Sequence, residues 1–259
     1  NDLAMCGAMP ICLSLSLILE EGLALAELET VLKSIASAAK KAGVPIATGD
    51  TKVVERGKGD KIYINTSGVG LVHANAKIDI ARMQAGMEIV LSNDIAAHGM
   101  AVMAVRENLG FEADISSDTQ PLDKVVKKLI DALGEDVIML RDATRGGVAT
   151  VLNEWADQSG LGIDIEHNSV PVRPQVNAAC EILGIDPMYV AYVGTFLTVV
   201  QEGMGDKTVE LLRENPECSQ AACIGRITAK HPGKVVSVSS FGGKRVLGML
   251  AGDPLPRIC

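Results

Sequence analysis

The chain has 259 residues and a formal net charge of −8, and its composition is 47% hydrophobic and 22% charged. These values predict a globular protein with enough chain for a sizeable core, and they exclude a disordered acidic tail and a disulfide-dense miniprotein. Because the net charge is negative and only 3% of the residues are aromatic, nucleic-acid binding through a basic surface or a base-stacking platform is excluded.

The longest apolar stretch, Met5 to Leu19, is interrupted by glycine, proline and serine. It is too short for a membrane-spanning helix, and no basic segment precedes it as in a signal peptide. We therefore predict no membrane association and a cytoplasmic location. Hydrophobic spacing predicts helices and strands in alternation, which favours an α/β (α+β) fold. The predicted helices cover 23–43, 98–109, 122–133 and 148–158, and the predicted strands cover 44–47, 61–67, 86–92, 137–140, 163–165, 194–200 and 235–240.

The first candidate site is Gly49-Asp50-Thr51-Lys52, directly after the apolar run at 44–47. An aspartate at the end of a strand, with threonine and lysine beside it, suits a magnesium–phosphate site. Carboxylate oxygens bind the hard cation, and the lysine neutralises phosphate charge. For this motif alone, a turn with a surface aspartate is an equal alternative. Asp2 is a candidate second carboxylate of the same type.

The second candidate site is Asp142-x-x-Arg145-Gly146-Gly147, at the start of the helix predicted from 148. Paired glycines let the backbone approach a ligand, and the amides at a helix N-terminus favour an anion. Arg145 can bind a phosphate through two nitrogens. The alternative is an ordinary glycine turn with a capping aspartate. Neither a Walker nor a Rossmann glycine pattern occurs.

Six cysteines occur, without a CxxC pair and without a nearby histidine to complete a zinc site. Five of them fit small buried apolar residues. Cys259 differs because it is the last residue and follows a segment stiffened by Pro254 and Pro256. We expect a mobile tail at 243–259 that presents Cys259 for chemistry, with an extended reach of roughly 55 Å. For His98, a surface or capping role at the start of a helix is favoured over a chemical one.

These segments together resemble the HypE family of hydrogenase maturation proteins, which lies in the aminoimidazole ribonucleotide synthetase (PurM-like) superfamily. The matching segments are Asn1-Asp2-Leu3-Ala4, Leu19–Gly22, Thr48–Val54, Arg141–Val148 and Pro254–Cys259. The resemblance covers the whole chain and implies a PurM-like two-domain fold. An N-terminal dimerising α/β domain is expected at 1–80, without the family's glycine-rich N-terminal segment. A C-terminal α+β domain is expected at 84–242, before the tail.

The resemblance also implies an activity. A HypF-type carbamoyltransferase would load Cys259 with a carbamoyl group, and ATP with Mg²⁺ would drive its dehydration to a thiocyanate. The cyano group would then pass to iron held by a HypC–HypD complex, as a cyanide ligand of a nickel–iron hydrogenase. The implied catalytic residues are Cys259, Lys52 and Arg145, the implied metal ligands are Asp2, Asp50 and Asp142, and the other implied nucleotide-binding residues are Thr48, Gly49, Thr51, Gly146 and Gly147.

Two positions depart from the family pattern. Relatives usually carry Ala-Asn-Glu-Gly where this chain has Ala191-Tyr192-Val193-Gly194, so the glutamate has no counterpart. They usually show Gly-Asp-His-Gly or Gly-Arg-His-Gly where this chain has Ala96-Ala97-His98-Gly99. A second hypothesis is therefore a non-catalytic thiol carrier with a silent nucleotide site. A superfamily enzyme that phosphorylates a free small molecule, such as selenophosphate synthetase or thiamine-phosphate kinase, does not explain the terminal cysteine.

Overall fold

The computed structural model describes residues 1–106, 115–250 and 252, and the chain divides into two compact units. The larger unit takes residues 1–7 together with the chain from residue 74 onward, and the smaller unit takes residues 8–73. In the described part of the chain the helices are α1 (Asp2–Met5), α2 (Leu25–Ala42), α3 (Ala97–Arg106), α4 (Asp123–Leu133), α5 (Gly147–Ser159), α6 (Pro174–Leu183) and α7 (Gly205–Arg213). The strands are β1 (Ala8–Glu20), β2 (Ile46–Val54), β3 (Ile62–Val72), β4 (Glu88–Leu91), β5 (Val137–Asp142), β6 (Gly162–Glu166), β7 (Phe196–Val200), β8 (Ala222–Thr228), β9 (Val235–Val238) and β10 (Lys244–Leu247).

The smaller unit is a three-stranded sheet in the order β2-β1-β3, with α2 as its helix. β1 is parallel to β2 and antiparallel to β3. The half-buried residues of α2, which include Leu28, Val31 and Ile35, recur at three- and four-residue spacing and form one stripe of the helix. The helix ends at Gly43, whose φ of +73° lies in the left-handed region that favours glycine. The helix predicted at 23–43 is therefore confirmed.

The larger unit is built on a seven-stranded sheet in the order β10-β9-β6-β8-β4-β7-β5. All neighbours are antiparallel except β6 and β9. Successive residues of β4 enter different cores: Ile89 and Leu91 belong to the cluster that contains Trp155 of α5, and Val90 belongs to the cluster that contains Leu129 of α4. The sheet is thus covered on both faces, and the predicted α/β (α+β) class is confirmed.

The predicted elements other than the run at 44–47 correspond to observed ones within a few residues, and residues 107–109 of one predicted helix lie outside the described residues. The sequence analysis missed α1, β1, β8, β10, α6 and α7. β1 coincides with the apolar stretch that we weighed only as a membrane segment, although leucine and serine alternate through Leu13–Leu17 as in a strand. No helix among the described residues combines the length and apolar character that a membrane crossing needs.

The segment predicted as a tail begins with a strand. Lys244–Leu247 form β10, which pairs with β9, and the side chain of Leu247 is buried. Backbone pairing and burial therefore fix the first part of the segment 243–259. The prediction of a mobile tail that starts at residue 243 is wrong for Lys244–Leu247. The 12 residues after Leu247 reach at most about 40 Å if extended.

Candidate functional site

In the smaller unit, Thr48–Lys52 lie within β2 rather than after it. β2 continues to Val54 because its residues pair with β1 as far as Glu20. The prediction that Asp50 stands at a strand end is therefore wrong, since the cross-strand pairing extends the strand beyond the apolar run at 44–47. The Asp50 carboxylate accepts a hydrogen bond from the Thr51 backbone N–H at 2.9 Å.

The strand position places the side chains of Thr48, Asp50 and Lys52 on one face of this sheet, because alternate residues point the same way. Gly49 and Thr51 belong to the opposite face. On the polar face the cross-strand neighbours of Thr48 and Asp50 are Ser14 and Ser16 of β1, which in turn face Ser67 and Asn65 of β3. The face carries hydroxyl, amide, carboxylate and ammonium groups, and its members are Ser14, Ser16, Thr48, Asp50, Lys52, Asn65 and Ser67.

In the larger unit, the structure brings Asp2 and Asp142 together. Asp142 ends β5, and Asp2 lies in the first turn of α1, which packs against β5. Burial raises the pKa of the half-buried Asp142 carboxyl, and the nearby Asp2 carboxylate raises the pKa of Asp142 further. A carboxylate such as Asp142, whose charged form is disfavoured by burial and by a neighbouring carboxylate, would be stabilised by a bound cation.

Arg145, Gly146 and Gly147 link β5 to α5. The Arg145 side chain is exposed at this helix start. Both glycines have left-handed φ angles, +67° and +62°. A Cβ on Gly147 would lie 2.5 Å from the carbonyl oxygen of Met188, so this glycine is required by the approach of another backbone segment as well as by its φ. Its role in phosphate binding stays a prediction.

The loop Ala191–Gly194 is held by side chains that the sequence analysis did not identify. The Val193 and Gly194 backbone N–H groups donate to the Asp118 carboxylate at 3.4 and 3.2 Å. The Asn1 amide donates to the Val193 carbonyl oxygen at 3.2 Å, and the Gln120 amide donates to the Gly194 carbonyl oxygen at 2.7 Å. These partners are more than 70 residues from the loop in sequence, so no local pattern points to them.

Two further polar side chains belong to this part of the site, Asp94 beside the loop and Tyr192 within it. The buried Asp94 carboxylate accepts a hydrogen bond from Arg173 Nε at 3.0 Å. Burial raises the pKa of Asp94, although the Arg173 guanidinium lowers it. The Tyr192 side chain is fully buried, and its hydroxyl has no hydrogen-bond partner among the described residues. Burial and the carboxylates of Asp142 and Asp118 raise the pKa of Tyr192 well above its usual value, so it stays protonated.

His98 lies in the first turn of α3, where its Nδ1 is 2.9 Å from the Ser117 hydroxyl oxygen. The structure thus gives His98 a defined side-chain contact, and the surface or capping role favoured from the sequence stays a prediction. Within the described ranges, no three histidine, cysteine, aspartate or glutamate side chains converge as a metal site would require, so Asp2 and Asp142 stand as a pair. Cys259 lies outside the described residues.

Comparisons with known proteins match this arrangement over the whole chain. The model of AIR synthase related protein, N-terminal domain, matches residues 1–72, and the model of its C-terminal domain matches residues 84–238. Carbamoyl dehydratase HypE of Cupriavidus necator is 46% identical over 259 residues, which are 100% of this chain and 74% of the relative. A crystal structure of HypE in complex with ATP is similar with a TM-score of 0.94 and 42% identity, covering 100% of this chain and 78% of that one. A crystal structure of a HypE–HypF complex gives a TM-score of 0.93 at 40% identity, covering 96% and 81%.

Proposed function

Because this chain belongs to the HypE family of carbamoyl dehydratases, with the AIR synthase related (PurM-like) fold, we propose that it uses ATP to dehydrate a carbamoyl group on its own Cys259. The product is a thiocyanate, whose cyano group becomes a cyanide ligand of a nickel–iron hydrogenase. The observation that carries the proposal is the pair of Asp2 and Asp142 at the end of β5. This pair lies in a chain similar over its full length to a HypE solved with ATP.

The chemistry requires activation of a poor leaving group. The carbamoyl oxygen on Cys259 takes the γ-phosphoryl group of ATP, and the bond between that phosphorus and the β-phosphate oxygen breaks to release ADP. The carbamoyl nitrogen loses two protons, and its electron pairs form the second and third C–N bonds. The C–O bond breaks, and phosphate leaves with the former carbamoyl oxygen. A thioester-like S–CO–NH₂ group thus becomes S–C≡N without any change of redox state.

Asp2 and Asp142 are the residues that would hold Mg²⁺. Magnesium is usually bound by one or two protein carboxylates together with substrate phosphates, so the pair fits it. When bound, the cation neutralises charge on the transferred phosphoryl group. Arg145 would contact phosphate oxygens from the start of α5. In the smaller unit we assign the Asp50 carboxylate to metal binding, Lys52 to the phosphates, and the neighbouring Thr48, Gly49 and Thr51 to the nucleotide, through the same family motif.

The proposed partners follow from the same chemistry. A HypF-type carbamoyltransferase supplies the carbamoyl group, as one solved relative forms a HypE–HypF complex. A HypC–HypD complex accepts the cyano group, and all of these steps take place in the cytoplasm.

We also propose that the chain forms a homodimer through the smaller unit. Its sheet has two open edges, β2 and β3, and β3 exposes Val69 (62%) and Leu71 (69%), apolar side chains that a second copy would bury.

The first prediction concerns Cys259. The protein is incubated with a HypF-type carbamoyltransferase, carbamoyl phosphate and MgATP, and its C-terminal peptide is followed by intact-mass analysis. We expect an adduct of about +43 Da on Cys259 that then loses one water. Cys259→Ala should form no adduct but keep the fold and ATP binding, and Cys218→Ala, a change at a buried cysteine, is the matched control for the adduct.

Two results would contradict the proposal in different ways. An adduct that persists with ATP present would mean that the chain is a carrier without dehydratase activity, the alternative that the Val193 departure keeps open. A Cys259→Ala variant that still acquires the carbamoyl group would place the acceptor elsewhere.

A further inference from the structure

We propose that His98 accepts a proton from the carbamoyl nitrogen during dehydration, an inference that rests on the function proposed above. The reaction requires a base, because the nitrogen loses two protons. The side chain at position 193 is a hydrocarbon and cannot take up a proton. Some other group near the loop Ala191–Gly194 must therefore accept it.

Backbone hydrogen bonds link His98 to the Asp142 end of the site. The Tyr192 N–H donates to the carbonyl oxygen of Ala143, the residue after Asp142, at 3.3 Å. On its other side, the same loop accepts at the Ala191 carbonyl oxygen from the N–H of Gly99, the residue after His98, at 3.1 Å. The loop thus connects the start of α3 with the end of β5, both within the larger unit. The His98 side chain is half-exposed, so a substrate group can approach it.

The hydroxyl groups next to His98 can set its tautomer. Ser117 Oγ accepts from the Thr119 backbone N–H at 3.2 Å and lies 2.7 Å from Thr119 Oγ1. If the Ser117 hydroxyl hydrogen points to Thr119 Oγ1, the same oxygen accepts from His98 Nδ1–H at 2.9 Å. Nε2 then carries a free lone pair, the form of imidazole that accepts protons.

The other titratable side chains around the loop are already engaged. The two Asp118 oxygens accept from the Val193 and Gly194 N–H groups. The Asp94 carboxylate is paired with Arg173. The buried Tyr192 phenol keeps its proton and can only donate it. Among these groups, His98 alone combines partial exposure with a ring nitrogen, Nε2, for which the described residues show no hydrogen-bond partner.

In the proton-transfer step, His98 Nε2 forms a bond to the departing nitrogen proton and becomes an imidazolium. The electron pair of the broken N–H bond forms the third C–N bond, and the C–O bond breaks as phosphate leaves. The imidazolium then loses its proton to water, which restores the base. General bases of this kind contribute rate factors of about 10²–10⁴.

The test is chemical rescue. His98→Ala is loaded with the carbamoyl group, and the rate of water loss from the Cys259 adduct is measured by mass with and without added imidazole. We expect a rate at least about 100-fold below that of the unchanged protein, and a partial recovery with imidazole. His167→Gln, a histidine substitution outside this network, is the control and should keep the full rate. ATP binding and the melting temperature of His98→Ala should stay close to those of the unchanged protein.

Each outcome has a separate meaning. Dehydration by His98→Ala at the full rate overturns the assignment of the base and leaves the proposed function intact. A slow variant that imidazole does not rescue also overturns it, because a positioning role would then explain the loss. An unchanged protein that never loses water overturns both proposals. Should His98→Ala fail to fold, Ser117→Ala serves instead, because it keeps the imidazole and removes the hydroxyl that orients it. We expect this variant to lose water about 5- to 10-fold more slowly. Water loss at the full rate would overturn the proposal that Ser117 orients His98 as the base.

Discussion

Arg173 is the counter-ion that lets the Asp94 carboxylate lie buried beside the proposed site. Burial raises the pKa of Asp94, and the guanidinium opposes that rise. A group whose folded pKa is raised contributes stability below its unfolded pKa and loses that contribution as the pH rises through its folded pKa. At neutral pH Asp94 is charged in the unfolded chain, so folding must bury this carboxylate. The ion pair with Arg173 therefore contributes most to the free energy of unfolding at neutral pH.

We predict that Arg173→Met lowers the free energy of unfolding by about 2–3 kcal/mol at pH 7, because it leaves a buried carboxylate without its partner. The loss should shrink between pH 7 and pH 4, as the raised pKa of Asp94 allows the carboxyl to become neutral. Urea denaturation at several pH values measures the effect. Arg141→Met, which removes a half-exposed pair with Glu154, is the control and should cost under about 1 kcal/mol at every pH. An Arg173→Met deficit that does not change with pH would contradict this account.

Single residues were the least predictable part of the site. Asp142 and Arg145 could be singled out because they precede a pair of glycines at a helix start. Asn1, Asp118 and Gln120 could not, since their contacts with the loop Ala191–Gly194 join residues far apart in sequence. Local patterns carry no information about such pairs, and only the sheet topology brings them together.

At the level of elements, the start of α3 carries backbone strain. Ala96 has a φ of +70° although it is not glycine, and it immediately precedes the helix that carries His98. The left-handed conformation costs a residue with a Cβ about 1–2 kcal/mol. Glycine adopts this conformation without a Cβ penalty, so the observed φ favours glycine at position 96.

We predict that Ala96→Gly changes the free energy of unfolding by less than about 1 kcal/mol, because relief of strain offsets the lost methyl burial and the flexibility of glycine in the unfolded chain. Ala97→Gly is the matched control, since Ala97 is equally buried but helical, and it should cost about 1.5–2 kcal/mol. Denaturant titration of both variants gives the comparison. Equal losses for the two would show that Ala96 is not strained.

Helices with a clear hydrophobic period could be predicted from the sequence. Strands whose bounds depend on hydrogen bonds to a neighbouring strand could not. The amphipathic α2 and α4 follow directly from the spacing of their apolar residues. The central strand β1 was missed because its apolar run contains a proline, and the place of Asp50 within β2 depends on β1 as its partner. A motif that is read as a turn from its glycine and aspartate becomes a strand when a neighbour supplies the hydrogen bonds.

For the whole molecule, the proposed homodimer can be tested through β3. We predict that Val69→Lys combined with Leu71→Lys gives a monomer in light scattering coupled to size exclusion, because two charges would have to be buried in the interface. Leu25→Lys, which changes an exposed leucine at the start of α2, is the control and should leave a dimer. A double variant that keeps the mass of a dimer would move the interface away from β3.

The order of the two units along the chain has a consequence for folding. Residues 1–7 belong to the larger unit, so 66 residues of the smaller unit separate them from the rest of their own core. The entropic cost of closing a flexible loop rises as about 1.5 RT ln n with its number of residues n, so a loop of this length costs about 2.4 RT more than one a fifth as long. That cost must be met before α1 can reach β5. The pairing of Ala8 with Val72 brings the two ends of the smaller unit side by side. If the smaller unit folds first during synthesis, its paired ends already hold residues 1–7 close to residue 74. The loop that must then close for α1 to pack on β5 is much shorter than the full intervening chain.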